Sequence, residues 1–227
     1  MSPIALVGGN EFRRDCDAMD RVLVERLGGA GAQIVILPTA ATNENPFVAG
    51  ENGVRQFRRL GARADKLMIV DEDSANDAGL VGQIEDYAGL YFTSGDPIYL
   101  RDTLLGSKAW PAVRAVAVRG GLVAGSSAGA MVLGEWLWQF DSWTSGLGLA
   151  PGLAVLPHHA TLAARWNAPA MAAALPAGVT LVGIDEATAL LLPEARVLGI
   201  GQVTVYGPGE PRVYGPGADV ALTPRLT

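Results

Sequence analysis

Short apolar runs alternate with amphipathic stretches along the first half of the chain. Residues 4–9 form a continuous apolar run that ends in two glycines, whereas 12–28 places its apolar residues at helical spacing and ends on Gly28. This alternation recurs, and it predicts five strands with helices between them. The predicted strands are 4–9, 32–40, 66–71, 88–96 and 122–127. The predicted helices are 12–28, 51–62, 78–87, 97–107 and 110–121.

Apolar strands joined by helices predict a parallel sheet with crossover helices on its faces. After about residue 140 the pattern changes, because Gly and Pro turn signals surround β-branched runs. We interpret these later segments as further strands of the same sheet with a terminal hairpin region. The predicted fold class is α/β, with a mostly parallel central sheet flanked by helices and a C-terminal β extension. We expect 1–227 to form a single domain.

Composition narrows the function classes. Hydrophobic residues make up 49% and charged residues 18% of the chain, which argues against disorder. The net charge is −6 without a basic stripe, so nucleic-acid binding is not expected. No apolar run approaches the roughly 20 residues of a membrane helix, and no signal-type leader is present, so we expect a cytoplasmic protein without membrane association. No pattern indicates the oligomeric state.

The cysteine and histidine content argues against a metal or cofactor. Cys16 is the only cysteine, which excludes an intrachain disulfide and fits a reducing compartment. Its helical surroundings favour a structural role over a nucleophilic one. One cysteine and two adjacent histidines provide no zinc-type ligand spacing, so no metal and no cofactor is expected.

Small and polar residues follow four of the predicted strands, where parallel sheets carry their reactive groups. One of these segments, Gly125-Ser126-Ser127-Ala128-Gly129, fits the pattern G-x-S-x-G at a strand-to-helix turn. Such an elbow exposes the middle serine, and the next backbone N–H can face an oxyanion. The pentapeptide alone is equally compatible with a tightly packed turn.

A serine nucleophile needs a base, and the chain contains only His158 and His159. They are adjacent at the end of an apolar run. Adjacent residues of an extended chain point in opposite directions, so we expect one of them to face Ser127.

Three carboxylates are candidates for the group that orients the base: Asp141, Asp185 and Glu186. Asp185 and Glu186 lie in an otherwise apolar strand pattern, where a carboxylate needs a partner. Asp141 follows Ser127 by only 14 residues, too few for the elements that normally separate nucleophile and acid in α/β-hydrolases. We therefore favour the order Ser, His, acid, with Glu186 as the acid and Asp185 as the alternative.

Four segments in this order resemble the S51 serine peptidases, the family of dipeptidase E and cyanophycinase. They are YFTSGD (91–96), GLVAGSSAGAMVLG (121–134), GLGLAPGLAVLPHH (146–159) and VGIDEATAL (182–190). The resemblance implies a class I glutamine-amidotransferase-like α/β sandwich with serine in place of the amidotransferase cysteine. It also implies nucleophile Ser127, base His158 and acid Glu186, with an oxyanion hole made by the N–H groups of Gly95 and Ala128.

The resemblance implies a serine hydrolase that acts on a small peptide, with Asp-containing dipeptides as one candidate. Cyanophycin-cleaving members carry Gln where this chain has Pro97, and they are richer in arginine after the histidine. Two alternatives remain: a ligand-binding domain without catalysis, and cyanophycinase-like cleavage of a β-Asp-Arg polymer. Further candidates for substrate binding are Asp96, Ser126, His159 and Arg165. For Asp96 the alternative role, which we favour slightly, is to cap the helix that follows it.

Overall fold

The computed structural model describes residues 2–207 and 209–222. Its strands are β1 (Ile4–Val7), β2 (Gln33–Leu37), β3 (Arg63–Lys66), β4 (Gly89–Phe92), β5 (Leu122–Ser126), β6 (Gly134–Gln139), β7 (Ser142–Ser145), β8 (Ala150–Leu156), β9 (Thr180–Ile184), β10 (Thr188–Leu192), β11 (Arg196–Gly199), β12 (Val203–Tyr206) and β13 (Arg212–Tyr214). Its α-helices are α1 (Asp17–Arg26), α2 (Pro46–Arg59), α3 (Glu72–Asn76), α4 (Ala78–Ile84), α5 (Pro97–Leu104), α6 (Ala109–Val118), α7 (Ala128–Leu133), α8 (His159–Leu162) and α9 (Ala168–Ala173). Two 3-10 turns lie at Arg14–Cys16 and Thr39–Asn43.

The first sheet has seven strands in the order β11-β10-β1-β5-β4-β2-β3. Five neighbouring strands of this sheet are parallel to one another: β1, β5, β4, β2 and β3. The other two strands, β10 and β11, are antiparallel to their neighbours. The predicted α/β class is therefore confirmed. The third strand lies earlier than the predicted 66–71. It is an edge strand with alternating burial, so its sequence lacks the continuous apolar run on which that prediction relied.

The later strands do not all extend this sheet. Only β10 and β11 join it, and a second, mixed sheet forms in the order β13-β12-β9-β8-β6-β7. The expectation of one extended sheet was wrong, because β6 begins directly after α7 and pairs with β7 and β8 instead of with a strand of the first sheet. The chain therefore leaves the first sheet at once, and it returns only through β10, which pairs antiparallel with β1.

Alternating side chains divide the core between the two faces of the first sheet. On β1, Ile4 and Leu6 face the larger cluster, which also includes α7 and one face of the second sheet. Ala5 and Val7 face the smaller cluster under α1 and α2. β1 is therefore buried between two core clusters, one on each face of the sheet. No helix in the described part of the chain is long and apolar enough to cross a membrane.

Candidate active site

Ser127 is the single residue between β5 and α7, and its backbone conformation is strained. Its φ of 48° and ψ of −104° lie outside the regions that non-glycine residues usually occupy. Its N–H donates to the Val7 carbonyl at 2.9 Å, which fixes the turn against β1. The flanking glycines permit the turn, since a Cβ on Gly125 would lie 2.5 Å from the carbonyl carbon of Gly129. The G-x-S-x-G composition thus follows from close backbone approach.

His158 lies against this elbow. Its Nε2 is 3.1 Å from the Ser127 Oγ. The residue has a left-handed backbone, with φ 49°, and its N–H donates to the Gly8 carbonyl at 2.7 Å. A Cβ on Gly9 would lie 2.2 Å from the imidazole Cε1, so glycine at that position makes room for the ring.

Glu186 contacts the other side of the imidazole. Its Oε1 lies 2.7 Å from His158 Nδ1, and its Oε2 accepts a hydrogen bond from Asn10 Nδ2 at 2.5 Å. A carboxylate at Nδ1 holds the proton there and leaves Nε2 free to accept the serine proton. The three side chains of Ser127, His158 and Glu186 therefore form one hydrogen-bonded line.

The neighbouring residues Asp185 and His159 point the other way and pair with each other. Asp185 Oδ1 is 3.4 Å from His159 Nδ1, and Asp185 Oδ2 accepts from the Gln202 N–H at 2.9 Å. His159 Nε2 is 2.7 Å from the Tyr206 hydroxyl, and burial lowers the pKa of this histidine. Neither the alternative of Asp185 as orienting acid nor that of His159 as a substrate contact fits these contacts. The side chains diverge from those of their neighbours because 185–187 connect β9 to β10 outside either strand, and because the left-handed His158 precedes α8, which begins at His159.

Three other candidate contacts also lie elsewhere. Ser126 is fully buried and donates to Glu11 Oε2 at 2.9 Å, so its hydroxyl does not line the cavity. Asp96 caps α5 by accepting from the N–H groups of Ile98 and Tyr99 at 2.9 and 3.0 Å. Arg165 is exposed and is not among the residues that line the cavity beside Ser127.

Sequence reasoning missed Glu11, whose carboxylate joins two loops of the site. Its Oε1 accepts from the Ser94 N–H at 2.8 Å, and its Oε2 accepts from the Ser94 hydroxyl at 2.6 Å in addition to Ser126. This carboxylate therefore ties the segment before Gly95 to the end of β5. The available signal was its place in the polar segment after the first strand.

The backbone N–H groups of Gly95 and Ala128 are the candidate oxyanion donors. Ala128 is the first residue of α7, and the first N–H groups of a helix have no intrahelical acceptor. Gly95 has φ 142°, and a Cβ there would lie 2.0 Å from the Ala40 carbonyl oxygen, so only glycine fits. No acceptor for the Gly95 N–H is found within the described residues. Both groups line the same cavity as Ser127.

That cavity has a volume of about 670 Å³. His158 separates it from a more polar cavity of about 530 Å³, which Asn10, Glu11, Arg13 and Ser94 help to line. A larger cavity, of about 840 Å³, lies between α1 and the β10–β11 edge and includes none of these residues. We assign the candidate site to the cavity at Ser127, because Ser127, His158 and the two candidate backbone donors all line it.

Two further observations concern metals and the cysteine. Within residues 2–207 and 209–222, no group of three His, Cys, Asp or Glu side chains could hold a metal ion. Cys16 is buried, and its thiol donates to the Asn10 carbonyl at 3.3 Å. Burial, followed by the charge of Asp20, raises the pKa of Cys16 to about 12, so the thiolate is scarce at neutral pH.

Comparison with known proteins gives one family and several structural relatives. The model described as "Peptidase family S51" matches residues 4–200. A crystal structure of a peptidase from an acI-B1 Actinobacterium is 28% identical with a TM-score of 0.86, and the match covers 98% of this chain and 97% of that one. A candidate peptidase E protein from Listeria monocytogenes EGD-e is 16% identical with a TM-score of 0.65, over 95% and 98% of the two chains, and this likeness shows the fold alone. No curated protein matches the chain.

Proposed function

The chain belongs to peptidase family S51, and we propose that it hydrolyses an amide bond of a small peptide by a serine mechanism. The observation that carries this proposal is the line of contacts at 3.1 Å from Ser127 to His158 and at 2.7 Å from His158 to Glu186. Such an arrangement activates a hydroxyl that is otherwise a weak nucleophile.

Each group then has a role in the reaction. The Ser127 Oγ attacks the substrate carbonyl carbon while His158 Nε2 accepts its proton, and the Glu186 carboxylate stabilises the imidazolium. The N–H groups of Gly95 and Ala128 donate to the oxyanion of the tetrahedral intermediate. The C–N bond then breaks, and His158 returns the proton to the leaving amine. Water subsequently hydrolyses the acyl-serine by the reverse proton path, which releases the acid product.

We place this activity in the cytoplasm and in a single domain that spans 1–227. A lone, buried cysteine suits a reducing compartment. The proposed partner is the peptide substrate alone, and the mechanism requires no metal and no cofactor.

The proposal is tested with a dipeptide library on the wild type and on two serine variants. Ser127→Ala removes the nucleophile and should lower kcat/KM at least about 10⁴-fold, as the loss of a triad nucleophile does. Ser126→Ala is the matched control, because its hydroxyl is buried beside Glu11, and it should retain activity within about tenfold. Undiminished hydrolysis by Ser127→Ala would contradict the serine mechanism. A wild type that cleaves none of the library would favour the ligand-binding alternative.

A further inference from the structure

The cavity beside Ser127 is built mainly from apolar and aromatic side chains. Beyond the groups proposed for catalysis, its wall consists largely of Ile98, Met131, Trp138, Phe140, Leu162 and Trp166. Its volume of about 670 Å³ falls within the range of small-molecule sites and is ample for one large side chain.

Packing against the core makes this wall a preformed surface. Met131 is only 5% exposed, and Ile98 and Trp138 pack against the larger core cluster. Trp138 also makes an edge contact with Trp143, with ring centroids 5.0 Å apart. The Trp143 indole N–H donates in turn to the Met171 carbonyl at 2.9 Å, which holds this ring pair in place.

The charges around the cavity are unfavourable for an acidic side chain. Among the described residues that line it, none is Lys or Arg, and the ionisable ones are Asp141 and His158. The guanidinium of Arg101 on α5 already donates to the Asp102 carboxylate at 2.7 Å and to the Thr144 hydroxyl at 3.2 Å. A substrate carboxylate would therefore lose water without gaining a cation, and Asp141 would repel it.

The rim of the cavity carries an exposed aromatic residue in a strained turn. Phe140 and Asp141 form the two-residue loop between β6 and β7, since Gln139 pairs with Ser142. Phe140 is 91% exposed and has φ 56°, at a hairpin position where glycine is usual. A bulky aromatic residue at such a position, beside an apolar cavity, suggests a functional reason for its placement.

We propose that this cavity binds an apolar or aromatic side chain of the residue whose carbonyl Ser127 attacks, with Phe140 packing over it. The inference rests on the proposed function and extends it to a substrate class. It assigns the wall of Met131, Trp138, Leu162 and Trp166 to recognition of that side chain. An aspartyl or glutamyl side chain should bind poorly there, because the wall contains no cation to pair with its carboxylate.

The test compares dipeptides that share a C-terminal leucine and differ in the first residue. We expect kcat/KM for Phe-Leu and Leu-Leu to exceed that for Asp-Leu by about 100-fold or more, because the carboxylate is desolvated without a partner. Gln139→Arg places a cation on the wall and should raise kcat/KM for Asp-Leu at least about tenfold. Phe140→Ala should lower kcat/KM for Phe-Leu about fivefold. Arg165→Ala, which alters a residue outside the cavity, should leave kcat/KM unchanged for both Phe-Leu and Asp-Leu.

The outcomes separate this inference from the proposed function. Faster, Ser127-dependent cleavage of Asp-Leu than of Phe-Leu would overturn the inference and leave the serine mechanism standing. If no dipeptide is cleaved, the proposed function fails, and calorimetric titration of Ser127→Ala with Phe-Leu and Asp-Leu decides the inference. Tighter binding of Phe-Leu supports it, and equal or tighter binding of Asp-Leu overturns it.

Discussion

Replacing Glu186 by Gln probes the electrostatic part of the proposed mechanism with little change in shape. The carboxylate contacts His158 Nδ1 at 2.7 Å and accepts from Asn10 at 2.5 Å. A glutamine amide can keep one contact through its oxygen, and rotation of the Asn10 amide can accommodate the other. The variant therefore removes a negative charge beside the imidazole while the side chain keeps its size.

The expected loss follows from the charge separation. An imidazolium and a carboxylate whose centres lie about 4 Å apart interact by about 4 kcal/mol at an effective dielectric constant of about 20. That energy corresponds to roughly 10³-fold in rate. Because the Glu186 side chain is 38% exposed, water screens part of the interaction. We therefore expect kcat to fall about 10²- to 10³-fold.

The assay is steady-state hydrolysis of the best dipeptide, with a thermal melt of each variant as a check on folding. Asp185→Asn is the matched control, since that carboxylate contacts His159 and the Gln202 N–H instead. The Asp185→Asn enzyme should keep kcat within about threefold of the wild-type value. A Glu186→Gln enzyme with more than about a third of wild-type kcat would refute the reasoning, and so would equal losses in the two variants.

Three further predictions concern the support of the site and the stability of the fold. Glu11→Gln should lower kcat about 10- to 100-fold with KM within about threefold, because it disturbs the loop that carries Gly95, a proposed oxyanion donor. An unchanged kcat would show that Glu11 has no positioning role. Gly9→Ala should cost about 10²-fold in kcat, because its Cβ would lie 2.2 Å from the His158 ring, whereas Gly28→Ala, with a similar φ of 107° and open space around it, should change only the thermal stability. Burial raises the pKa of Asp20 to about 7, above its ordinary value of about 3.9, so this group's contribution to stability is lost as the pH rises from about 4 to about 7. In thermal melts, Asp20→Asn should be more stable than the wild type mainly at pH 8 and much less so at pH 5. A difference in melting temperature that does not depend on pH would contradict this.

Local chemistry made the centre of the site predictable. The elbow at Ser127 is encoded within five residues, because small side chains are what such a turn requires. The proposed base could be one of only two histidines, and the left-handed backbone of His158 ahead of α8 turns the two imidazoles to opposite sides. The α/β class was also predictable from local sequence, since buried parallel strands have continuous apolar sequences.

Long-range pairing determined what the sequence did not reveal. Asp185 and Glu186 are adjacent carboxylates, and which of them meets His158 depends on the connection between β9 and β10. That connection is fixed by distant backbone partners, since the Asp185 N–H donates to the Gln202 carbonyl and the Ala187 N–H donates to the Gly9 carbonyl. Glu11 meets Ser126 across 115 residues of sequence, and no local pattern indicates such a contact. The second sheet was missed because the apolar pattern of a strand does not reveal which sheet it joins, and only the long-range pairing of β6, β8 and β9 separates them from the first sheet. By contrast, the capping role of Asp96 was predictable from local sequence, because it precedes Pro97 at the start of a helix.

Covalent labelling of Ser127 tests the central claim most directly. The purified protein is treated with a fluorophosphonate, and its intact mass and its peptides are then measured by mass spectrometry. A nucleophile activated by His158 predicts a single adduct on the peptide that contains Ser127, slower labelling in His158→Ala and no adduct in Ser127→Ala. An adduct on another residue, or undiminished labelling in Ser127→Ala, would contradict the serine mechanism.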